Sequence, residues 1–320
     1  MNKATLRVVG LLAVLTMAVA GCGGGGGTGG GGGGSLSEVD LSDATIVVGS
    51  KDFTEQQILG HITLQALEAT GATVEDRIGL AGTDAARAAL DAGDIDTYWE
   101  YTGTNWINHL KNTKPIPDPV EQYDAVVEAE KKNDIAVLER APANNTYALA
   151  VRSEAAEDLG VEKLSDIKKV IEERPEDATV CVESEFNSRD DGLPGMEKTY
   201  GFEFPKENIK LFDTGVVYTE TDKGEECNFG EVFITDGRIP ALDLTVIEDD
   251  KKFFPVYNPA LNVRQEIYDE YGEQLDQVFT PIAQAMENDT LAQMNAAVDV
   301  DGELPEDVAE EWLTKNGFVE

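Results

Sequence analysis

From Ala44 onward the apolar residues of this chain fall into two alternating rhythms. Short β-rich runs at 44–48, 74–80 and 95–99 read as strands. Between them, Ile58, Ile62, Leu64 and Leu67 recur at helical spacing over residues 54–70, and a second helix is predicted from a cap at Thr83 or Asp84 to Ala92, where Gly93 stops it. A strand–helix–strand–helix–strand order predicts a parallel sheet covered on both faces. The alternation continues with helices at 118–133, 165–173 and 192–200 and strands at 135–138, 147–152, 178–182, 209–212, 231–235 and 242–248, after which the chain from Pro259 reads as mainly helical. Two α/β units of similar size and a helical end predict two lobes facing a cleft. Ligands of open α/β sheets sit beyond the carboxyl ends of the strands, so the residues just after strands carry the interest.

The first residues break this rhythm. Lys3 and Arg7 precede an apolar run from Val8 to Ala20, and small residues lead to Cys22. A basic start, a short apolar stretch and a small-residue cut describe a signal peptide over 1–21, and the run is too short to span a bilayer. Val19-Ala20-Gly21-Cys22 resembles a bacterial lipobox, which implies lipidation of Cys22 and anchoring to the outer face of the cell membrane. The Gly-rich linker assigned to 22–43 then acts as a flexible tether, with a reach on the order of 20 Å. About 285 residues remain, enough for one large domain or two ordinary ones.

Charge narrows the partners. With 62 acidic against 25 basic residues the net charge is −37, which disfavours nucleic acid, whose phosphates need Lys and Arg. A field of this sign attracts cations, although salt screens it beyond about 10 Å. Adaptation to a salty habitat or a gain in solubility is the simpler reading of the excess, with attraction of a cationic ligand a secondary consequence. Apart from Cys22 the chain holds Cys181 and Cys227, and in an oxidising compartment this pair is expected to form a disulfide inside the second lobe. Two cysteines and two histidines, His61 and His109, offer no metal-ligand cluster, so neither metal nor cofactor is expected.

Three segments follow predicted strands: Gly49-Ser50-Lys51-Asp52-Phe53, Tyr98-Trp99-Glu100-Tyr101-Thr102-Gly103-Thr104 and Phe233-Ile234-Thr235-Asp236-Gly237-Arg238. Further aromatics stand at Tyr147 and Tyr257. Aromatic faces turned into one hollow suit a quaternary ammonium, whose methyl groups donate no strong hydrogen bond, and each ring offers about 0.5–2 kcal/mol of cation–π attraction. Any one of these rings taken alone reads more simply as core.

The segments 48–56, Glu100-Tyr101-Thr102-Gly103-Thr104 and Thr235-Asp236-Gly237-Arg238-Ile239, with Val308-Ala309-Glu310-Glu311-Trp312-Leu313 near the end, resemble the substrate-binding lipoproteins of glycine betaine, choline and carnitine ABC importers, the osmoprotectant-uptake family. The resemblance implies a two-lobe periplasmic-binding-protein fold of type II, α/β, each lobe a mainly parallel sheet flanked by helices, with lobe one at 44–145 plus 256–320 and lobe two at 146–255. It implies a cation cage of Tyr101, Tyr147, Phe233 and Tyr257, where Phe233 departs from the tyrosine usual in the family. It further implies that Lys51, Thr104 and Arg189 hold a ligand carboxylate through charge-assisted bonds. Outside the resemblance, Lys51 and Arg189 would read as surface ion pairs worth about 0–1 kcal/mol. Asp84 reads as a helix cap or, if it faces the cavity, as a group favouring a cation without a carboxylate, such as choline.

The expected partners are a small quaternary ammonium ligand, with glycine betaine first, and the membrane subunits of an ABC permease. A monomer is expected, with no nucleic acid. Choline, carnitine or another cationic or zwitterionic solute is the alternative within the fold, and an exported scaffold or adhesion protein the alternative outside it. An enzyme is disfavoured because neither histidine has an evident nucleophile partner and no G-x-S-x-G elbow occurs.

Overall fold

The computed structural model describes residues 34–320. The signal region, Cys22 with its expected lipid, and most of the glycine tract lie outside the described residues. The strands are β1 (Thr45–Lys51), β2 (Thr73–Leu80), β3 (Thr97–Tyr101), β4 (Ile135–Arg140), β5 (Tyr147–Arg152), β6 (Val180–Val182), β7 (Ile209–Leu211), β8 (Phe229–Phe233), β9 (Leu244–Val246) and β10 (Pro259–Arg264). They form two five-stranded sheets, ordered β2-β1-β3-β10-β4 and β7-β6-β8-β5-β9. The chain crosses between them at 141–146 and again at 247–258.

Both sheets are mixed. β1 pairs in parallel with β2 and β3, while β10 runs antiparallel to β3 and β4. In the second sheet β6 is parallel to β7 and β8, while β5 is antiparallel to β8 and β9. The antiparallel members β5 and β10 are the strands that follow a crossing. Each enters its sheet from the far end, so it pairs without needing a helical crossover.

The first core lies between its sheet and helices. In α1 (Thr54–Ala69), Ile58, Leu59, Ile62, Ala66 and Leu67 are buried together with Ile46 and Val48 of β1 and the C-terminal residues Leu313 and Trp312. α2 (Gly82–Ala92) ends on Gly93, whose φ of 78° is the left-handed cap that glycine adopts without a Cβ penalty. The second core gathers Leu149, Val151, Val180, Phe186, Phe204 and Phe229.

The structure adds to the sequence reading in two places and corrects it in a third. The stretch from Pro259 opens with β10, buried from Pro259 to Val263, and only then become the helices Gln265–Gln284, Asn288–Asp299 and Pro305–Lys315; a six-residue strand covered on both faces shows no alternation to reveal it. Two helices, Ser153–Leu159 and Thr214–Lys223, were hidden by weak periodicity. The cap of α2 is the backbone of Ala81, without a side-chain bond, and Asp84 lies exposed in the first turn, where its charge complements the helix dipole.

Cys181 and Cys227 form a disulfide with Cα atoms 5.7 Å apart. It ties β6 to the approach to β8 and is buried against Val217.

Candidate functional site

A cavity of about 610 Å³ lies between the two sheets. Seven of the eight expected ligand-facing side chains line it: Lys51, Tyr101, Thr104, Tyr147, Arg189, Phe233 and Tyr257. Asp84, exposed on α2, is not among its walls. The convergence follows from topology. Lys51 ends β1, Tyr101 ends β3 and Thr104 stands one turn further on. Tyr147 begins β5 directly opposite Phe233, the last residue of β8. Tyr257 arrives from the second crossing and packs against Gly103, where a Cβ would stand 2.7 Å from the ring. The glycine of the Tyr-Thr-Gly-Thr run therefore makes room for an aromatic wall.

The rings form one connected group. Tyr147 lies 5.0 Å from Phe233 and 5.4 Å, edge on, from Tyr257. Phe53 stacks 5.5 Å from Phe233 and 6.2 Å from Tyr101. Sequence reasoning gave Phe53 no role, although it follows β1 by two residues and its position was the available signal. Rings from both halves of the molecule therefore make one continuous aromatic stretch of the cavity lining.

The basic side chains are already engaged. Lys51 Nζ donates to Glu100 Oε1 at 2.6 Å, and both groups are buried. Glu100 Oε2 also takes the Tyr98 hydroxyl at 3.0 Å and lies 2.9 Å from His109 Nε2. Burial alone would raise the Glu100 pKa, but the Lys51 ammonium and His109 outweigh it and hold the carboxyl well below the usual range. Arg189 makes a two-pronged pair with Asp191, at 2.8 and 2.6 Å, and reaches Thr104 Oγ1 at 3.4 Å. Asp191 also accepts the Tyr257 hydroxyl at 2.7 Å. Arg238 pairs with Asp236 and lies 3.3 Å from Asp299.

Two buried carboxyls were missed. Glu55 in α1 accepts four bonds: from the Tyr101 hydroxyl and Asn145 Nδ2, both at 2.8 Å, from Thr235 Oγ1 at 2.7 Å and from Asn295 Nδ2 at 2.9 Å. Burial nevertheless raises its pKa, against the pull of those donors. Glu231 in β8 accepts only the Glu183 backbone N–H, at 2.7 Å. Burial pushes its pKa up to about 8, with Glu183 and Glu185 adding to the rise and Arg189 opposing it. A lone Glu in a strand or helix carries no signal of burial in one sequence, which is why neither was found.

The two halves touch around the cavity. Glu55 bonds Thr235, Thr104 meets Arg189, Arg238 meets Asp299, and the Thr83 backbone N–H donates to Glu185 at 2.7 Å. The crossings run side by side, joined by Asn145 N–H to Tyr257 carbonyl at 3.0 Å and Tyr257 N–H to Asn144 Oδ1 at 2.7 Å. Such a paired connection can flex as a hinge while the sheets stay rigid.

The model of the substrate binding domain of the ABC-type glycine betaine transport system matches residues 44–315. A glycine-betaine-binding protein of Pseudomonas aeruginosa is 36% identical over 283 residues, covering 86% of this chain and 89% of that one. Glycine betaine-binding protein YehZ of Escherichia coli is 32% identical over 279 residues, covering 85% and 91%. A crystal structure described as a glycine betaine/carnitine/choline ABC transporter superposes with a TM-score of 0.67 at 28% identity, covering 86% of this chain and all of that one. The solved structures share the two-lobe architecture of type II periplasmic binding proteins. A hinged pair of lobes around an aromatic hollow thus comes with an unbroken match over nearly all the described residues, and the chain belongs to the family of substrate-binding domains of ABC-type glycine betaine transport systems, extracytoplasmic solute-binding components and not enzymes.

Proposed function

We propose that this chain captures a quaternary ammonium osmoprotectant in the cleft and presents it to the membrane subunits of an importer. The cation sits in a cage of Tyr101, Tyr147, Phe233 and Tyr257, with Phe53 as a fifth wall. The remainder of the ligand faces Lys51, Thr104 and Arg189. Lobe one comprises 44–145 plus 256–320 and lobe two 146–255, and closure about the paired crossings reports occupancy. A lipid on Cys22 holds the chain at the membrane surface. The observation that carries the reading is the single hollow whose walls are rings from both halves of the chain. Ligand contacts to both halves stabilise the closed state by as much as the affinities for the two states differ.

Titrating the intrinsic fluorescence with glycine betaine and choline tests this: a saturable response is expected. Tyr101→Ala and Tyr257→Ala are each expected to weaken binding about tenfold or more, as a desolvated cation–π contact requires. Unchanged affinity in both variants rejects the cage.

A further inference from the structure

We infer that, within the quaternary ammonium class, this cavity selects a ligand of net charge +1 that carries a hydroxyl or other hydrogen-bond donor and no carboxylate, so that choline binds more tightly than glycine betaine. The inference rests on the cage reading above and concerns only the order of affinities within that ligand class.

The reason lies in how the cavity's charges are already paired. Eight carboxyl side chains line it against three cationic ones. Each cation has a partner: Lys51 has Glu100 at 2.6 Å, Arg189 has both oxygens of Asp191, and Arg238 lies between Asp236 and Asp299. Glu100 and Asp191 are themselves buried. An incoming carboxylate therefore meets cations whose charge is already balanced by short, charge-assisted pairs, so it gains the spare N–H donors of Lys51 and Arg189 without gaining a free positive charge, and it does so among surplus carboxyls.

The cation end meets the opposite situation. Glu231 is 5% exposed, lines the cavity, and keeps one carboxyl oxygen outside the bond from Glu183. On β8 it precedes Phe233 by two residues, so the two side chains share a face about 7 Å apart along the strand. Tyr147 pairs across from Phe233, and Leu149 across from Glu231. A cation against the Phe233 and Tyr147 rings thus has a buried carboxyl within the length of a short ligand, and a hydroxyl on that ligand has an acceptor. Glu183 and Glu185, which also line the cavity, extend the negative wall on the same side. The high pKa of Glu231 agrees with a carboxyl waiting for a positive partner.

Calorimetric titration of the protein with choline and with glycine betaine, in one buffer above the Glu231 pKa, tests the inference. Choline is expected to bind about tenfold or more tightly, the worth of one partly desolvated charge pair. Glycine betaine binding equally or more tightly overturns the inference while leaving the cage reading intact, and saturable binding of neither overturns both. Glu231→Gln keeps an acceptor for the Glu183 N–H, and it is expected to weaken choline about tenfold and glycine betaine by clearly less, narrowing the ratio between the two ligands. Equal loss for both ligands overturns the role given to Glu231. The wild-type comparison decides the matter even if that variant fails to fold.

Discussion

Glu55 and Glu231 are both buried carboxyls on the wall of one cavity, one in each half of the molecule, yet they are tied very differently. Glu55 takes four donors drawn from both halves, close to the number of lone-pair sites a carboxylate owns. Glu231 takes one. A saturated carboxylate has committed its acceptor capacity to the protein, so Glu55 works as a fastening between Tyr101, Asn145 of the first crossing, Thr235 of the second half and Asn295. An unsaturated one retains capacity toward whatever enters. One cavity therefore has a wall that fixes geometry and a wall that can read charge.

The largest effect that would break this comparison is on stability. Glu55→Ala leaves four buried donors without their acceptor, each costing about 1 kcal/mol or more, and the loss is expected to reach about 4 kcal/mol in urea denaturation. Glu231→Gln is expected to cost far less, since the amide oxygen still serves the Glu183 N–H. Comparable losses in the two variants would mean that the second wall is as structural as the first.

The contrast also explains what could be read in advance. The alternation of strands and helices, the rings and the basic residues lie in local patterns, and Gly49-Ser50-Lys51-Asp52-Phe53 or Tyr101-Thr102-Gly103-Thr104 announce themselves by composition after a strand. The pairing that decides charge does not. Glu100 was one residue from a named ring, and Asp191 two from Arg189, but only the fold shows that they neutralise Lys51 and Arg189. Glu55 gathers partners 46, 90, 180 and 240 residues away, and no local window contains such a set. β10 escaped for a related reason, because it is defined by neighbours on both sides, β3 and β4, and not by a period of its own.

A second, smaller effect appears with pH and sharpens the comparison on the Glu231 side. Its pKa is pushed from 4.5 up to about 8 in the folded chain. Folded protein therefore keeps a proton that the unfolded chain has released, so stability falls as pH rises from about 4.5 to about 8 and levels off above that. Glu55 contributes a slope of the same sign, and subtracting the profile of Glu231→Gln isolates the Glu231 share. Choline affinity is expected to move the other way, rising several-fold across the upper part of that range, because the cation needs the ionised carboxyl. Glu183, Glu185 and Arg189 face the same group, and with Glu231 replaced the rise is expected to be largely lost. Affinity that is flat in pH in the wild type would show that Glu231 does not meet the ligand's charge.

The smallest effect separates the two walls within a single side chain. Tyr101 gives its ring to the cavity and its hydroxyl to Glu55 at 2.8 Å. Tyr101→Phe removes the fastening and keeps the π face. Stability is expected to drop by about 1 kcal/mol, the net worth of one such bond, while affinity for a quaternary ammonium changes by less than about twofold. Tyr101→Ala removes both, so it should show the stability loss together with the loss of binding. If the phenylalanine variant loses as much affinity as the alanine one, the ligand is sensing the Glu55 network and not the ring, and the division of the cavity into a fixed wall and a reading wall fails at the residue where the two meet.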